Sequence, residues 1–149
     1  MKKEILYRMK SPFCDDFRVI GYTFGEGEKA LCVLGAMRGN EVPQQYVCSQ
    51  LVRTLALFEG QGFIANGVSI RMIPSANPFS MNIGKRFWAM DDTDINRMFP
   101  GYCKGETTQR IADGVFKAVH DYSFWIQIAS YYMPEEFIAH ARIIRTGLN

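Results

Sequence analysis

Apolar and polar residues along this chain fall into patterns that predict alternating strands and helices. Residues 16–24 alternate apolar with other types, which predicts a strand, and the Gly-Glu-Gly-Glu run at 25–28 suits a turn. Residues 29–34 form a short, largely apolar run that ends at Gly35. Because such runs are typical of strands buried on both faces, we expect a central strand of a sheet here.

The next segment predicts a helix followed by a second strand. Apolar side chains in residues 42–58 recur at three- and four-residue steps, which indicates an amphipathic helix. Pro43 stands early in it, where its missing N–H costs least, and two glycines shortly after residue 58 end the helix. Residues 68–73 then predict a strand that Pro74 stops.

A long irregular stretch separates this unit from the last predicted elements. Residues 75–104 are rich in proline, asparagine and glycine, and loops of this length are usually functional. Residues 106–120 predict a helix, residues 123–130 a third strand, and residues 143–145 a candidate fourth strand. We therefore expect one α/β domain over residues 1–149, with a mostly parallel central sheet flanked by helices.

Composition narrows the classes of partner. The chain has 17 basic and 15 acidic residues spread along its length, so neither nucleic acid nor an anionic membrane is expected as a partner. No run approaches the ~20 apolar residues of a membrane span, and the N-terminus does not predict a signal peptide. The four scattered cysteines are interpreted as reduced packing residues. We expect a cytoplasmic protein with a small-molecule partner.

The loop after the first buried strand carries a candidate site. Residues 35–41 read Gly-Ala-Met-Arg-Gly-Asn-Glu and place Arg38 three residues before Glu41. Open α/β sheets bind ligands at the carboxyl ends of their strands. A structural explanation is also available, in which Glu41 favours the positive N-terminus of the following helix and Arg38 is a solvated partner. Spacing alone leaves both explanations open.

A second candidate site lies in the long irregular stretch. Arg86 and Arg97, with Asn96 beside the latter, offer forked donors that suit a carboxylate. The alternative is a loop held together by ion pairs between these arginines and the aspartates at 91, 92 and 94. Composition does not separate the two.

Taken together, these segments resemble one enzyme family. The Gly-Asn-Glu loop at 39–41, the Asn-Pro pair at 77–78 and the string Asp-Ile-Asn-Arg-Met-Phe-Pro-Gly at 94–101 are similar to the succinylglutamate desuccinylase/aspartoacylase family, from about residue 29 onward. The resemblance implies a zinc-dependent hydrolase of N-acyl amino acid amide bonds with a zinc carboxypeptidase-like fold. It further implies that this chain corresponds to the N-terminal part of the family domain and lacks the C-terminal part.

The resemblance also implies roles for particular residues. Glu41 matches the family's carboxylate zinc ligand, while Arg38 and Ala129 stand where the family has its two zinc-binding histidines. Alanine cannot bind a metal, and a permanently charged arginine repels a dication, so we do not expect zinc here. His140 is a remote candidate for a replacement ligand. No catalytic base is assigned.

The substrate-binding residues of the family have matches in this chain. Asn96 and Arg97 match the pair that binds the substrate carboxylate, and Arg86 matches the arginine that precedes them. Two functions therefore remain open. The chain is a hydrolase completed by a partner chain or by a natural continuation, or it is a noncatalytic domain that binds an anionic small molecule and pairs Arg38 with Glu41. In the second case the alternatives include assembly into a homo-oligomer and a regulatory or structural role beside a homologous partner subunit.

Four aromatic residues lie in or just after the third predicted strand. Phe124, Trp125, Tyr131 and Tyr132 occur within nine residues of one another. We interpret them as core packing, with a pocket lining or an interface as the alternative.

Overall fold

The computed structural model describes residues 1–11, 15–130, 141 and 143. Five strands, three helices and one 3₁₀ turn follow one another in these residues. In chain order they are β1 (Lys2–Met9), β2 (Phe17–Phe24), β3 (Gly27–Ala36), α1 (Val42–Gly60), β4 (Gly67–Ser75), α2 (Pro78–Asn82), the 3₁₀ turn (Ile95–Arg97), α3 (Thr107–Val119) and β5 (Phe124–Gln127).

The sheet is mixed rather than mostly parallel, which corrects the expectation from the sequence. Its strand order is β1-β2-β4-β3-β5. β3 pairs in parallel with β4 and with β5, as the strand–helix alternation predicted. The N-terminal strands β1 and β2 add to the other edge of β4 in antiparallel pairs. The sequence pattern did not predict a strand at residues 2–9, and the antiparallel half of the sheet was therefore not expected.

Helices α1 and α3 cover opposite faces of the sheet, and a separate apolar cluster lies under each. The α1 cluster contains Phe24, Val33, Cys48 and Met72. The larger α3 cluster contains residues of β2, β3, the irregular stretch and α3 itself, among them Phe17, Cys32 and Ile111. The two helices predicted at 42–58 and 106–120 are thereby confirmed, with small changes at their ends. Because both helices pack on the sheet, β3 is covered on both faces, and the loop that follows it lies at its carboxyl end.

Several smaller expectations need correction. Pro74 lies inside β4 instead of ending it, at a position beyond the last residues that pair with β2. Cys32 and Cys48 are buried as predicted, but Cys103 is exposed. The helical part of the described residues contains no segment long and apolar enough to span a membrane. His140, Tyr131, Tyr132 and most of the candidate strand at 143–145 lie outside the described residues.

Candidate functional site

Glu41 is the centre of the site, and its carboxylate is enclosed by hydrogen-bond donors. The side chain is 0% exposed. Its Oε2 accepts from the main-chain N–H groups of Met37 at 2.8 Å and Arg38 at 3.0 Å. Its Oε1 accepts from the Ser130 hydroxyl at 2.8 Å, the Ser130 N–H at 3.3 Å and the Arg38 guanidinium at 3.3 Å. Five donors therefore satisfy a buried charge that would otherwise be costly.

Arg38 lies between two carboxylates. One nitrogen contacts Glu41, while its Nε and a terminal nitrogen donate to Asp94 at 2.9–3.2 Å in a forked pair. Burial opposes the guanidinium charge, but the hydrogen bonds and attraction of Asp94 and Glu41 outweigh it and raise the pKa of Arg38. The side chain is only 13% exposed, so the interpretation of Arg38 as a solvated partner is wrong. The ion pair expected between Arg38 and Glu41 is present.

Asp94 joins the two segments that the sequence analysis treated separately. It receives the fork of Arg38, and the Nε of Arg97 lies 3.8 Å from Oδ2, an oxygen that also accepts from Arg38. Its carboxylate also accepts from the N–H of Asn96 and so caps the 3₁₀ turn that begins at Ile95. The cluster thus contains two arginines and two carboxylates, so its formal charge is balanced without any added cation.

The residues present do not fit the zinc that the family resemblance implies. Catalytic zinc needs about three protein ligands and an open position, whereas both oxygens of Glu41 are already engaged and a guanidinium lies beside them. Within residues 1–11 and 15–130, no group of three potential metal ligands occurs. Ala129 is exposed and directly precedes Ser130, whose hydroxyl reaches Glu41. His120 follows the last residue of α3, and its Nε2 lies 2.8 Å from an Asp121 carboxylate oxygen.

Ser130 was missed by the sequence analysis. It follows β5 and reaches Glu41 only because β5 runs parallel to β3, with Leu34 paired to Gln127. A serine after a predicted strand carries no signal of such a contact. The register of two distant strands was needed to reveal it.

The three predicted substrate-binding residues differ in how far their side chains are exposed and in what they contact. Arg97 is 81% exposed, and within the described residues its side chain is held by one long contact, with Asp94. The side-chain oxygen of Asn96 accepts from the amide of Gln127 at 3.1 Å. Arg86 is partly buried, its guanidinium lies over the Phe87 ring, and its Nε has no hydrogen-bond partner in the described structure. No described contact connects the Arg86 side chain to Asn96 or Arg97.

Gly39 holds the loop after β3 against the segment that carries Arg86. Its N–H donates to the Arg86 carbonyl, and a Cβ on Gly39 would lie 2.2 Å from the Lys85 carbonyl oxygen. We expect Gly39→Ala to lower the free energy of unfolding by about 1–3 kcal/mol, because main-chain atoms must move apart. Gly60→Ala, where a Cβ would meet nothing within 4 Å, is the matched control and should be neutral or slightly stabilising. Urea unfolding measures both, and equal effects would contradict the close packing of Gly39.

An apolar groove of about 330 Å³ opens beside the ion-pair cluster. Its lining includes Leu34, Phe99 and Trp125, together with the hydrogen-bonded pair Asn96 and Gln127. The interpretation of the aromatic residues near β5 as core packing is wrong for the two that are described. Phe124 is 71% exposed and Trp125 61% exposed, since β5 lies at the end of the sheet.

Solved structures with a similar fold place this molecule in a known class. An aspartoacylase family protein from Mesorhizobium loti is 23% identical with a TM-score of 0.67, and the match covers 82% of this chain and 38% of that one. A succinylglutamate desuccinylase from a Silicibacter species is 20% identical with a TM-score of 0.63, covering 84% and 36%. Bovine thrombin-activatable fibrinolysis inhibitor, in complex with tick carboxypeptidase inhibitor, is 13% identical with a TM-score of 0.60, covering 77% and 50%. The fold is therefore carboxypeptidase-like.

The sequence identifies the family within this class. The model of the succinylglutamate desuccinylase/aspartoacylase catalytic domain matches residues 27–127. The chain belongs to the succinylglutamate desuccinylase/aspartoacylase family. It spans 38% and 36% of the length of the first two structures described above. No curated protein sequence matches this chain.

Proposed function

We propose that this chain is a noncatalytic member of its family that binds a carboxylate-bearing small molecule without zinc. The observation that carries the proposal is the enclosure of Glu41 by five donors, one of them the Arg38 guanidinium. A metal could bind Glu41 only by displacing an internal cation that Asp94 also holds. The described residues therefore offer no metal centre for the zinc-dependent hydrolysis that the family resemblance implies.

Arg97 is the proposed anion-binding group. Its guanidinium is largely exposed. Asp94 lies 3.8 Å from the Arg97 Nε and accepts closer hydrogen bonds from Arg38, so the N–H groups of Arg97 are available to a ligand. A planar guanidinium binds a carboxylate through two parallel hydrogen bonds. Gln127 occupies the oxygen of the Asn96 carboxamide, which leaves the amide nitrogen as its donor toward the ligand. An N-acyl amino acid, the kind of molecule the family name describes, provides a carboxylate for both groups.

Arg86 is proposed as a more distant contribution to the same site. Its Nε is buried without a partner, and its main-chain carbonyl is tied to Gly39 in the loop after β3. An unsatisfied cationic donor in a buried position is unfavourable unless a ligand or water pairs with it. We propose that the ligand supplies a second acceptor there.

Substitution of Arg97 tests the binding function. We expect Arg97→Gln to weaken the binding of N-acetylaspartate or N-succinylglutamate by about 10-fold or more, since hydrogen bonds to charged groups contribute about 1.5–3 kcal/mol. Arg53→Gln removes an exposed arginine of α1 and should leave the affinity unchanged. Isothermal titration calorimetry on both variants and the parent chain gives the comparison. Equal affinities in the two variants would contradict the assignment of Arg97.

Elemental analysis and a hydrolysis assay separate this proposal from a competent enzyme. After dialysis without chelator, we expect far less than one zinc per chain and no release of free amino acid from either compound. About one zinc per chain together with zinc-dependent hydrolysis would overturn the noncatalytic proposal. Carboxylate binding with neither property would support it.

A further inference from the structure

The apolar groove lies next to the proposed anion site and shares a residue with it. Asn96 belongs to the lining of the groove and directly precedes Arg97 in the 3₁₀ turn. Its side-chain oxygen accepts from Gln127, which also lines the groove. Because Asn96 is common to both, a ligand whose carboxylate contacts Asn96 and Arg97 has its remaining part next to the groove.

Apolar side chains from four parts of the fold form most of this groove. They are Leu34 of β3, Phe99 and Pro100 after the 3₁₀ turn, Phe116 of α3 and Trp125 of β5. The volume of about 330 Å³ is at the lower end of the range for small-molecule pockets, which is about 300–1,000 Å³. An apolar cavity of about 150 Å³ binds benzene, so the groove has room for an aliphatic chain of roughly six to eight carbons.

The described lining offers no cation to a second acidic group of a ligand. No lysine or arginine belongs to it, and its polar members are Cys32, Asn96, His120 and Gln127. Burial raises the pKa of the Cys32 thiol to about 12, so this thiol is neutral. His120 Nε2 lies 2.8 Å from an Asp121 carboxylate oxygen, so a ligand carboxylate beside His120 would also approach the negative charge of Asp121. A charge buried without a partner is costly, and the groove therefore selects against a second carboxylate.

We propose that the groove holds the acyl chain of the bound ligand, and that this ligand is a monocarboxylate with an apolar acyl group, such as an N-acylglycine of medium chain length. The proposal rests on the proposed function, because Asn96 and Arg97 hold the carboxylate end. N-acetylaspartate and N-succinylglutamate then bind through one carboxylate and gain no affinity from the groove. Each methylene buried in an apolar groove strengthens binding by about fourfold.

Isothermal titration calorimetry of the 149-residue chain tests the effect of chain length. We expect N-hexanoylglycine to bind at least about 10-fold more tightly than N-acetylglycine, because its acyl chain is longer by four methylenes. N-succinylglutamate should bind at least about 10-fold more weakly than N-hexanoylglycine, since its acyl group ends in a carboxylate.

Two neighbouring residues of β5 provide a variant and its matched control. Trp125 lines the groove and pairs with Cys32 of the α3 cluster, whereas Phe124 pairs with Leu31, which packs against the α1 cluster. Successive residues of a strand point to opposite faces, so Phe124 lies on the other side of the sheet. We expect Trp125→Gln to reduce the affinity ratio of N-hexanoylglycine to N-acetylglycine by at least about fivefold and Phe124→Gln to preserve it. Circular dichroism checks that both variants are folded.

The fluorescence of Trp125 provides a readout that needs no substitution. The chain has two tryptophans, of which Trp88 is 3% exposed and Trp125 61% exposed. Acrylamide should quench Trp125 in the free chain, and N-hexanoylglycine should protect it far more than N-acetylglycine does. A Trp125 that is shielded from acrylamide before any ligand is added would show that another part of the protein occupies the groove, and it would overturn the proposal.

The groove and the anion site fail in different ways. Equal affinities for N-hexanoylglycine and N-acetylglycine, or equal ratios in Trp125→Gln and Phe124→Gln, would overturn the groove assignment. Binding of N-acetylglycine that depends on Arg97 would still support the anion site in that case. A chain-length effect together with affinities that Arg97→Gln leaves unchanged would contradict the anion site, and with it the carboxylate end of the proposed ligand.

Discussion

Glu41→Ala is expected to lower the free energy of unfolding by about 3–5 kcal/mol, which is the range for removing one partner of a buried ion pair. The substitution leaves three main-chain N–H groups, the Ser130 hydroxyl and one edge of Arg38 without their acceptor. Asp94 still pairs with Arg38, so a large part of the loss comes from the unsatisfied donors. Urea unfolding followed by circular dichroism measures the change.

Glu28→Ala is the control for this experiment. Glu28 is an exposed glutamate on β3, the strand that precedes the Glu41 loop, and its replacement should change stability by no more than about 0.5 kcal/mol. A Glu41→Ala variant as stable as Glu28→Ala would show that the enclosed carboxylate contributes little to the fold.

We expect a metal site to form when histidines replace Arg38 and Ala129, the two positions that the resemblance assigns to the family's zinc-binding histidines. We expect Arg38→His combined with Ala129→His to bind about one zinc per chain, because Glu41 then gains two neutral nitrogen ligands and loses the guanidinium beside it. Arg38→His alone should bind zinc far more weakly, since it supplies one histidine and one carboxylate. Elemental analysis after dialysis and zinc-dependent thermal stabilisation measure the difference.

Ser130 is the alternative position for the second histidine. Ser130 contacts Glu41 directly, whereas Ala129 is known only as its exposed neighbour. A folded double variant without zinc would show that Ala129 does not stand at the second ligand position. Zinc binding by Arg38→His with Ser130→His, but not with Ala129→His, would assign that position to Ser130 instead.

The sequence predicted those parts of the fold that local patterns determine. The helices at 42–58 and 106–120 and the strand at 68–73 have strong apolar periodicity, and the structure confirms them. The specific string at 94–101 led to the correct family. These features depend on neighbours within a few residues, so the chain itself contains the information.

Features that depend on distant pairing were not predictable in the same way. The contact of Ser130 with Glu41 depends on the register of β5 against β3. The fork between Arg38 and Asp94 joins residues 56 positions apart, although aspartate–arginine pairing was foreseen only within the second loop. The same limitation explains the error at Phe124 and Trp125, because an apolar strand looks alike in sequence whether it lies inside a sheet or at its edge.

Arg38 gives this loop a counter-charge that is part of the polypeptide. A bound dication can be removed by chelators, exchanged for a competing metal or left out when its supply is low, whereas a guanidinium is made with every copy of the chain. A guanidinium stays charged at ordinary pH, and the neighbouring carboxylates of Asp94 and Glu41 raise the pKa of Arg38 further. The arrangement of Glu41, Asp94 and Ser130 around it should therefore form as soon as the chain folds, without a maturation step.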